Sequence, residues 1–182
     1  MQTPADLTER TLSREEKYHG SILSLHVDQV ELPNGGTGVR EVVEHVDGAA
    51  ILALDERNNV LTVTQYRYVF GKPLLEIPAG KLEPGEDPVS GALRELKEET
   101  GAVPDTFLPM GVMLPSPGCL GERLYLFLAR GLHMEDQHLD EDEFLNVERI
   151  PFSEMVHRCL DGEIEDGKTI AAVLKAKVLL NL

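Results

Sequence analysis

The stretch GKLEPGEDPVSGALRELKEETGA, residues 80–102, predicts one helix from its turn residues and its apolar spacing. Asp87 is a favoured N-cap residue, Pro88 suits the first helical turn, and Gly101 suits the residue that ends a helix. At about 100° per residue, four apolar residues fall on one side of this helix. They are Val89, Ala92, Leu93 and Leu96. We expect that side to pack on a hydrophobic core.

Three glutamates of the same helix are expected to form a cluster. Glu95, Glu98 and Glu99 lie three and four residues apart, so they share a second side of the helix. Like charges at this spacing destabilise a helix by about 0.2–0.5 kcal/mol per pair. Lys97 lies away from the cluster, and Arg94 flanks it without neutralising it. Taken alone, such a cluster is more often a solvated helix face, but Mg²⁺ would also offset the repulsion, because it needs few protein carboxylates.

Strands outnumber helices in the rest of the chain. We predict strands at residues 22–32, 39–46, 49–54, 60–66, 106–114, 123–129 and 144–150, and helices from about 151 and over about 168–180. Because strands and helices do not alternate regularly, an α+β fold is favoured over a doubly wound sheet. The acidic run 135–143 is predicted to be loop. We predict a small antiparallel β unit at residues 1–46 and the main domain at 47–182.

The charge of the chain argues against nucleic acid as a partner. The 182 residues include 32 acidic and 17 basic ones, which gives a formal net charge of −15. Such a surface repels phosphate backbones. A small anionic substrate is still compatible with it, because bound divalent cations can reverse the charge inside one pocket.

Targeting signals and metal-binding cysteine spacings are not found in the sequence. No stretch has the pattern of a signal peptide or of a membrane-spanning segment, so we expect no membrane partner. The two cysteines, Cys119 and Cys159, are far apart and suit a protein that stays reduced. We therefore expect a cytoplasmic location.

Residues 80–102 also resemble the Nudix box, whose pattern is Gly-x5-Glu-x7-Arg-Glu-U-x-Glu-Glu-x-Gly-U with U an apolar residue. The matching residues are Gly80, Glu86, Arg94, Glu95, Leu96, Glu98, Glu99 and Gly101. Ala102 occupies the last apolar position and is smaller than usual, which affects packing rather than metal binding. So many fixed residues in a short span make a specific signal, in contrast to a single glycine-rich motif. The chain is therefore similar to the Nudix hydrolase family.

Three further stretches resemble the ADP-ribose pyrophosphatase branch of that family. They are residues 75–80, 116–118 and 140–143, with Pro117 at the usual distance after the box. The resemblance covers about residues 18–180. It implies a Nudix-type α/β/α sandwich with a mixed sheet, which refines the α+β prediction. It also implies that the N-terminal antiparallel β unit is exchanged between the two subunits of a homodimer.

The resemblance also implies a reaction. Enzymes of this branch use Mg²⁺, for which Mn²⁺ could substitute, to hydrolyse the diphosphate of ADP-ribose to AMP and ribose 5-phosphate. One alternative is a pyrophosphatase for another nucleoside diphosphate sugar, because the metal site recognises only the diphosphate. A second alternative is a non-catalytic Nudix module that binds ADP-ribose. A degenerate glutamate set would favour that module, and here the set is complete.

Diphosphate hydrolysis assigns roles to the glutamates of the box. The enzyme must position a water molecule, remove its proton and neutralise charge on the phosphoryl oxygens. We expect Glu95 and Glu99 to bind the metal, and Glu98 to be either a third ligand or a catalytic base. By resemblance, the carbonyl of Ala79 is a backbone ligand of the metal.

Other charged residues are expected to support these ligands. By resemblance, the acidic loop supplies Glu141 as the candidate base and Glu143 as an extra metal ligand. The alternative is a charged surface loop, because runs of acidic residues are usually just solvated. Arg94 and Glu86 are expected to orient the glutamates of the catalytic centre, as groups behind metal ligands do.

The substrate-binding side of the site is predicted from more distant residues. Arg67 could clamp a phosphate bidentately, the alternative being a salt bridge at a strand end. By resemblance, Arg40 and Glu41 reach the adenosine half of the substrate across the dimer. The chain has no Trp to stack on an adenine, so Ile22 or Leu23 could supply an apolar face. Weaker substrate-binding candidates are Glu76, Ser116, Gly118 and Glu122.

Substitutions in the acidic loop separate the base from the metal ligands. A general base contributes about 10²–10⁴-fold, so Glu141→Gln should lower kcat within that range and change KM much less. Glu143→Gln should instead raise the Mg²⁺ concentration that gives half activity, because loss of a ligand weakens metal binding. If Glu141→Gln is fully active and Glu98→Gln alone loses the base-dependent limb of the pH–rate profile, then the helix supplies the base.

Overall fold

The described part of the chain divides into two compact units. A computed structural model describes residues 6–139 and 143–181. The first unit contains the residues up to Val46 together with Ser116–Glu122. The second unit contains Asp47–Pro115 and the residues from Arg123 onwards.

The first unit is built on a three-stranded antiparallel sheet. Its strands are β1 (Arg10–His19), β2 (Leu23–Glu31) and β3 (Thr37–His45), with β2 in the middle. Gly35, in the turn between β2 and β3, has a φ of 79°, which glycine adopts without steric cost. Ser116–Glu122 joins the sheet through hydrogen bonds from Val43 N to Cys119 O at 2.8 Å and from Gly121 N to Val43 O at 2.9 Å. The predicted antiparallel β unit is confirmed.

A mixed sheet forms the framework of the second unit. Its strands are β4 (Gly48–Leu54), β5 (Asn59–Arg67), β6 (Lys72–Glu76), β7 (Ala79–Lys81), β8 (Ala102–Met113), β9 (Leu124–Met134) and β10 (Leu145–Pro151). The strand order is β10-β5-β4-β9-β8, and β6 pairs with β5 while β7 pairs with β4. β4 is parallel to β9, and the other pairs are antiparallel. β4 is buried at every residue, as its apolar sequence and central position require.

Helices cover both faces of the mixed sheet. They are α1 (Pro88–Thr100), α2 (Phe152–Leu160) and α3 (Gly167–Leu180). Leu52 of β4 packs in one cluster with Met155 of α2 and Val173 of α3. The next residue back, Ile51, belongs to a second cluster with Leu96 of α1. Because neighbouring strand residues point to opposite faces, β4 contributes to both clusters, and the predicted α/β/α sandwich is confirmed. No helix within residues 6–139 and 143–181 combines the length and apolar content needed to cross a membrane.

The helix α1 begins and ends where the sequence predicts. The Asp87 side chain accepts the N–H of Val89 at 3.0 Å, and Gly101 follows the helix with a φ of 72°. The prediction that Val89 packs on the core is wrong, since this residue is 43% exposed. The helix contacts the sheet through later residues such as Ala92 and Leu96, so Val89 stays exposed.

Candidate active site

Glu99 is a buried carboxylate that contacts the backbone of β7. It is 3% exposed, and its Oε2 accepts a hydrogen bond from the N–H of Ala79 at 3.0 Å. Burial is the main reason that the pKa of Glu99 is raised to about 8; the charges of Glu95 and Glu143 contribute to this rise, and Ala79 and Lys168 oppose it. A nearby cation would stabilise such a group, because desolvation disfavours a negative charge without compensation.

Glu95 packs directly against the backbone of Gly80. A Cβ atom at position 80 would lie 2.0 Å from Cδ and 2.1 Å from Oε2 of Glu95, far inside van der Waals contact. A side chain at position 80 would therefore force the Glu95 carboxylate to shift away from β7. Glu95 is 9% exposed, and burial raises its pKa against the effect of a hydrogen bond from Arg94. The negative charges of Glu98 and Glu143 raise that pKa further.

Arg94 connects the glutamates of α1 with the turn before the helix. Its Nη1 donates to Glu95 Oε1 at 2.8 Å and to Glu98 Oε2 at 2.9 Å. Its Nε and Nη2 donate to Oε1 and Oε2 of Glu86 at 3.0 and 2.9 Å, which lowers the pKa of Glu86 to about 2. The expectation that Arg94 leaves the cluster without neutralisation is wrong, because its long side chain folds back over these carboxylates. These hydrogen bonds are the contacts that the predicted orienting role requires.

The oxygen donors around α1 suit a hard divalent cation. Carboxylates and backbone carbonyls are the ligands that such ions take, and Mg²⁺ leaves several positions to water and substrate. Within the described residues, no three Asp, Glu, His or Cys side chains converge into a ready-made metal site. Arg94 engages one oxygen each of Glu95 and Glu98, so part of their charge is already balanced. The donor set therefore fits an ion that takes only some of its ligands from the protein.

The acidic loop, residues 135–143, follows β9 in the chain and begins next to the C-terminal end of α1 in space. The N–H of His138 donates to the carbonyl of Glu98 at 3.0 Å and so satisfies one of the acceptors that a helix end leaves open. At the far end of the loop, Glu143 is close enough to raise the pKa of Glu99 by its charge. Glu141, the predicted base, lies outside the described residues.

Arg67 and Glu76, both predicted to face the substrate, form a salt bridge with each other. Nε and Nη2 of Arg67 donate to Oε1 and Oε2 of Glu76 at 2.6 and 2.7 Å. Glu76 is 2% exposed and also accepts a hydrogen bond from Nζ of Lys168. Burial alone would raise the pKa of Glu76, but Arg67 and Lys168 lower it below its ordinary value. The side chain of Arg67 remains 39% exposed, which leaves it accessible to a ligand.

Sequence reasoning missed two buried polar residues at the start of α3. Lys168 is 9% exposed and pairs with Glu76, while the hydroxyl of Thr169 accepts the N–H of Ile77 at 2.9 Å. Asp166 could be recognised as the N-cap of this helix. The partners of Lys168 and Thr169, however, lie 92 residues earlier in the chain, and no local pattern predicts such pairs.

The other substrate-binding candidates belong to the first unit. Nε of Arg40 donates to Oε2 of Glu9 at 2.9 Å, and Oε1 of Glu122 lies 3.7 Å from Nδ1 of His45. Three candidates are exposed to solvent: Glu41, Ser116 and Gly118. Ile22 is exposed as well. Their substrate-binding roles stay predictions.

Comparisons with known proteins agree on one fold. A family model described as the NUDIX domain matches residues 44–173, and one described as the nucleoside diphosphate sugar hydrolase N-terminal domain matches residues 9–43. The methanol dehydrogenase activator of Bacillus methanolicus is 41% identical over 91% of this chain and 90% of its own length. The ADP-ribose pyrophosphatase of Bacillus subtilis (strain 168) is 38% identical over 92% of this chain and 91% of its own length. A crystal structure of an ADP compounds hydrolase superposes with a TM-score of 0.84 at 21% identity, covering 97% of this chain and 96% of that one.

Gly80→Ala tests the contact between β7 and Glu95. The added methyl group must displace the carboxylate, and a displacement of about 1 Å in a catalytic centre can cost roughly a hundredfold in rate. We expect a loss of that size in diphosphate hydrolysis, with an unchanged circular dichroism spectrum. Gly167→Ala is the matched control, because nothing lies within 4 Å of a Cβ atom at that position. Equal rates of hydrolysis in the two variants would contradict a catalytic role for the contact between Gly80 and Glu95.

Proposed function

Because this chain belongs to the Nudix hydrolase family, we propose that it hydrolyses the diphosphate of ADP-ribose to AMP and ribose 5-phosphate. The observation that carries the proposal is the buried pair of glutamates on α1. Glu95 packs on Gly80, and Glu99 accepts the N–H of Ala79. The choice of substrate is supported by the ADP-ribose pyrophosphatase of Bacillus subtilis, which aligns with nearly the whole of both chains.

Nudix hydrolases generally use divalent cations, and for this chain we propose Mg²⁺, with Mn²⁺ as a substitute. The proposed ligands are the Ala79 carbonyl and the carboxylates of Glu95, Glu98, Glu99 and Glu143. Such a cation neutralises charge on phosphoryl oxygens and lowers the pKa of a bound water. The protein supplies oxygen donors in a buried setting, where electrostatic attraction is stronger than in bulk water.

The remaining side chains have proposed tasks that follow from their contacts. Arg94 holds Glu95 and Glu98 in one orientation through its hydrogen bonds. The side chain of Glu98 is 37% exposed, so the oxygen that Arg94 does not contact is available to act as a ligand or as a base. Glu141 is the base that the family resemblance favours. Arg67 would contact a phosphate while Glu76 fixes its guanidinium.

We propose that residues 1–46 form a dimerisation unit and that residues 47–182 form the catalytic domain. Within residues 6–46, Val30 is the one buried hydrophobic residue, and β1 is exposed at every position. A three-stranded sheet with so little apolar burial gains little stability from its own core. A second subunit would supply the missing burial. Arg40 and Glu41 are the residues with proposed contacts to the partner's substrate, and the weaker proposed substrate-binding residues are Glu76, Ser116, Gly118 and Glu122.

We further propose a cytoplasmic location and a small-molecule substrate as the main ligand. Cys119 and Cys159 are both free thiols, which suits a reducing compartment. The net charge of −15 is unfavourable for binding nucleic acid.

A second candidate substrate is another nucleoside diphosphate sugar. It is supported by the match of residues 9–43 to the N-terminal domain of nucleoside diphosphate sugar hydrolases. A panel assay decides between the two candidates: ADP-ribose and nucleoside diphosphate sugars with other bases and sugars are incubated with the protein and Mg²⁺, and the products are resolved by mass. We expect the highest kcat/KM for ADP-ribose. A higher value for another compound would favour the second candidate, and no cleavage of any compound would contradict both.

Glu99→Gln tests the dependence on a cation. The amide keeps the shape of the carboxylate but removes its charge, so kcat should fall by about a hundredfold or more. Chelation by EDTA should abolish hydrolysis by the wild-type protein and leave its circular dichroism spectrum unchanged, because the glutamates are not the source of the hydrophobic core. Near-normal turnover in the Glu99→Gln variant would refute the role of Glu99 as a metal ligand.

Light scattering at micromolar concentration tests the proposed dimer. We expect the mass of two chains, because the first unit buries little apolar surface by itself. Arg40→Ala should raise KM for ADP-ribose without changing that mass. An active monomer would contradict the dimer and the proposed role of Arg40 together.

A further inference from the structure

The Glu76–Ala79 segment, which joins β6 to β7, is held by several elements of the second unit. Arg67, at the end of β5, forms a salt bridge with Glu76, the first residue of the segment. The N–H of Ile51 in β4 donates to the carbonyl of Pro78 at 2.8 Å. Ala79, the last residue of the segment, donates its N–H to the side chain of Glu99 on α1. The start of α3 provides a further attachment, to which the proposed reaction has so far assigned no role.

Lys168 and Thr169 make this further attachment from inside the protein. Nζ of Lys168 contacts Oε2 of Glu76 and lies 3.0 Å from Oδ1 of Asp166. The hydroxyl of Thr169 accepts the N–H of Ile77 at 2.9 Å and donates to Asp166. Thr169 is 0% exposed and Lys168 is 9% exposed, so both contacts are shielded from water.

We propose that Lys168 and Thr169 are positioning residues for diphosphate hydrolysis. They hold the Glu76–Ala79 segment in place. Through Glu76, this segment orients Arg67 towards the diphosphate, and the carbonyl of Ala79 is its proposed ligand for the cation. The inference rests on the proposed function. Stability alone gives no reason for a buried ion pair here, because apolar residues of similar volume are often as stable in its place. The location of the pair, beside the groups that are proposed to bind substrate and cation, supplies the reason.

Lys168 acts through the balance of charge around Arg67. Glu76 and Asp166 carry two negative charges, which Lys168 and Arg67 offset, and the charge of Glu99 acts on both of these basic side chains as well. Without the lysine, the surroundings of Arg67 gain a net negative charge, which disfavours an anionic diphosphate. Lys168→Met keeps a long side chain and removes the charge, so KM for ADP-ribose should rise about tenfold while kcat changes much less.

A charge-removing double variant and a matched control make the lysine test specific. Glu76→Gln combined with Lys168→Met removes one charge of each sign, so KM should rise less than the two single changes predict. Arg158→Met is the control, because Arg158 forms a partly exposed ion pair with Glu154 on α2, and its KM should equal that of the wild type. An unchanged KM in Lys168→Met would overturn the role of this lysine. The role would also be overturned if Lys168→Met lowered the melting temperature and kcat but left KM unchanged.

Thr169 acts through the backbone that carries the proposed carbonyl ligand. Thr169→Val keeps the shape and removes the acceptor of the Ile77 N–H, and a buried N–H without a partner disfavours the present position of the segment. The affinity for Mn²⁺, measured by electron paramagnetic resonance without substrate, should fall about 10–100-fold. Thr169→Ser should restore it.

Thr62 provides the matched control for this substitution. It is 0% exposed, and its hydroxyl donates to the Glu148 carbonyl of β10 at 3.3 Å, so Thr62→Val makes the same substitution at a buried position whose hydroxyl bonds a different element. We expect wild-type Mn²⁺ affinity in that variant. Wild-type affinity in Thr169→Val would overturn the role of Thr169, and so would an equal loss in both valine variants.

The Mn²⁺ measurement also separates this inference from the proposed function. If the wild-type chain does not cleave ADP-ribose but Thr169→Val weakens Mn²⁺ binding, then the proposed substrate is wrong and the positioning role stands. If the wild-type chain cleaves ADP-ribose and neither Lys168→Met nor Thr169→Val changes KM or Mn²⁺ affinity, then the positioning role is wrong and the function stands.

Discussion

Two carboxylates buried beside a short strand set the arrangement of the second unit. Glu95 and Glu99 are one helical turn apart on α1, and each lies against the backbone of β7. Removing carboxylates from water is unfavourable unless charge or hydrogen bonds compensate. The rise in the pKa of Glu99 to about 8 reflects that cost. Because a side chain at position 80 would displace the Glu95 carboxylate, this contact links the glycine of β7 to the position of that carboxylate.

Two positively charged side chains on different elements compensate for the buried carboxylates. Arg94 shares its guanidinium among Glu86, Glu95 and Glu98, and Lys168 lowers the pKa of Glu99 by its charge. Part of the negative charge is therefore balanced before any divalent ion binds. This explains how three glutamates at repelling positions are accommodated in one folded helix. A divalent cation would add to this balance and would bring the phosphates to the same place.

Much of the fold follows from local features of the chain. The cap at Asp87 and the glycine at 101 delimit α1, and the apolar run of β4 indicates a central strand. The short strands β6 and β7 escaped prediction, since five and three residues are too few to show an alternating pattern. The exposure of Val89 was not predicted either. Helical spacing shows which residues share one side of a helix, but it does not show how far the sheet beneath that side extends.

The sequence by itself determined the helix, the spacing of its glutamates and the similarity to one enzyme family, because caps and periodicity act over a few residues and the box is continuous. Only the tertiary structure decided which glutamates are buried, why Gly80 carries no side chain, and that Arg67 is held by Glu76. It also decided that Lys168 meets Glu76 across 92 residues. The physical reason is that a side chain of given chemistry can pair with any complementary group, and the partner is chosen when distant elements pack together.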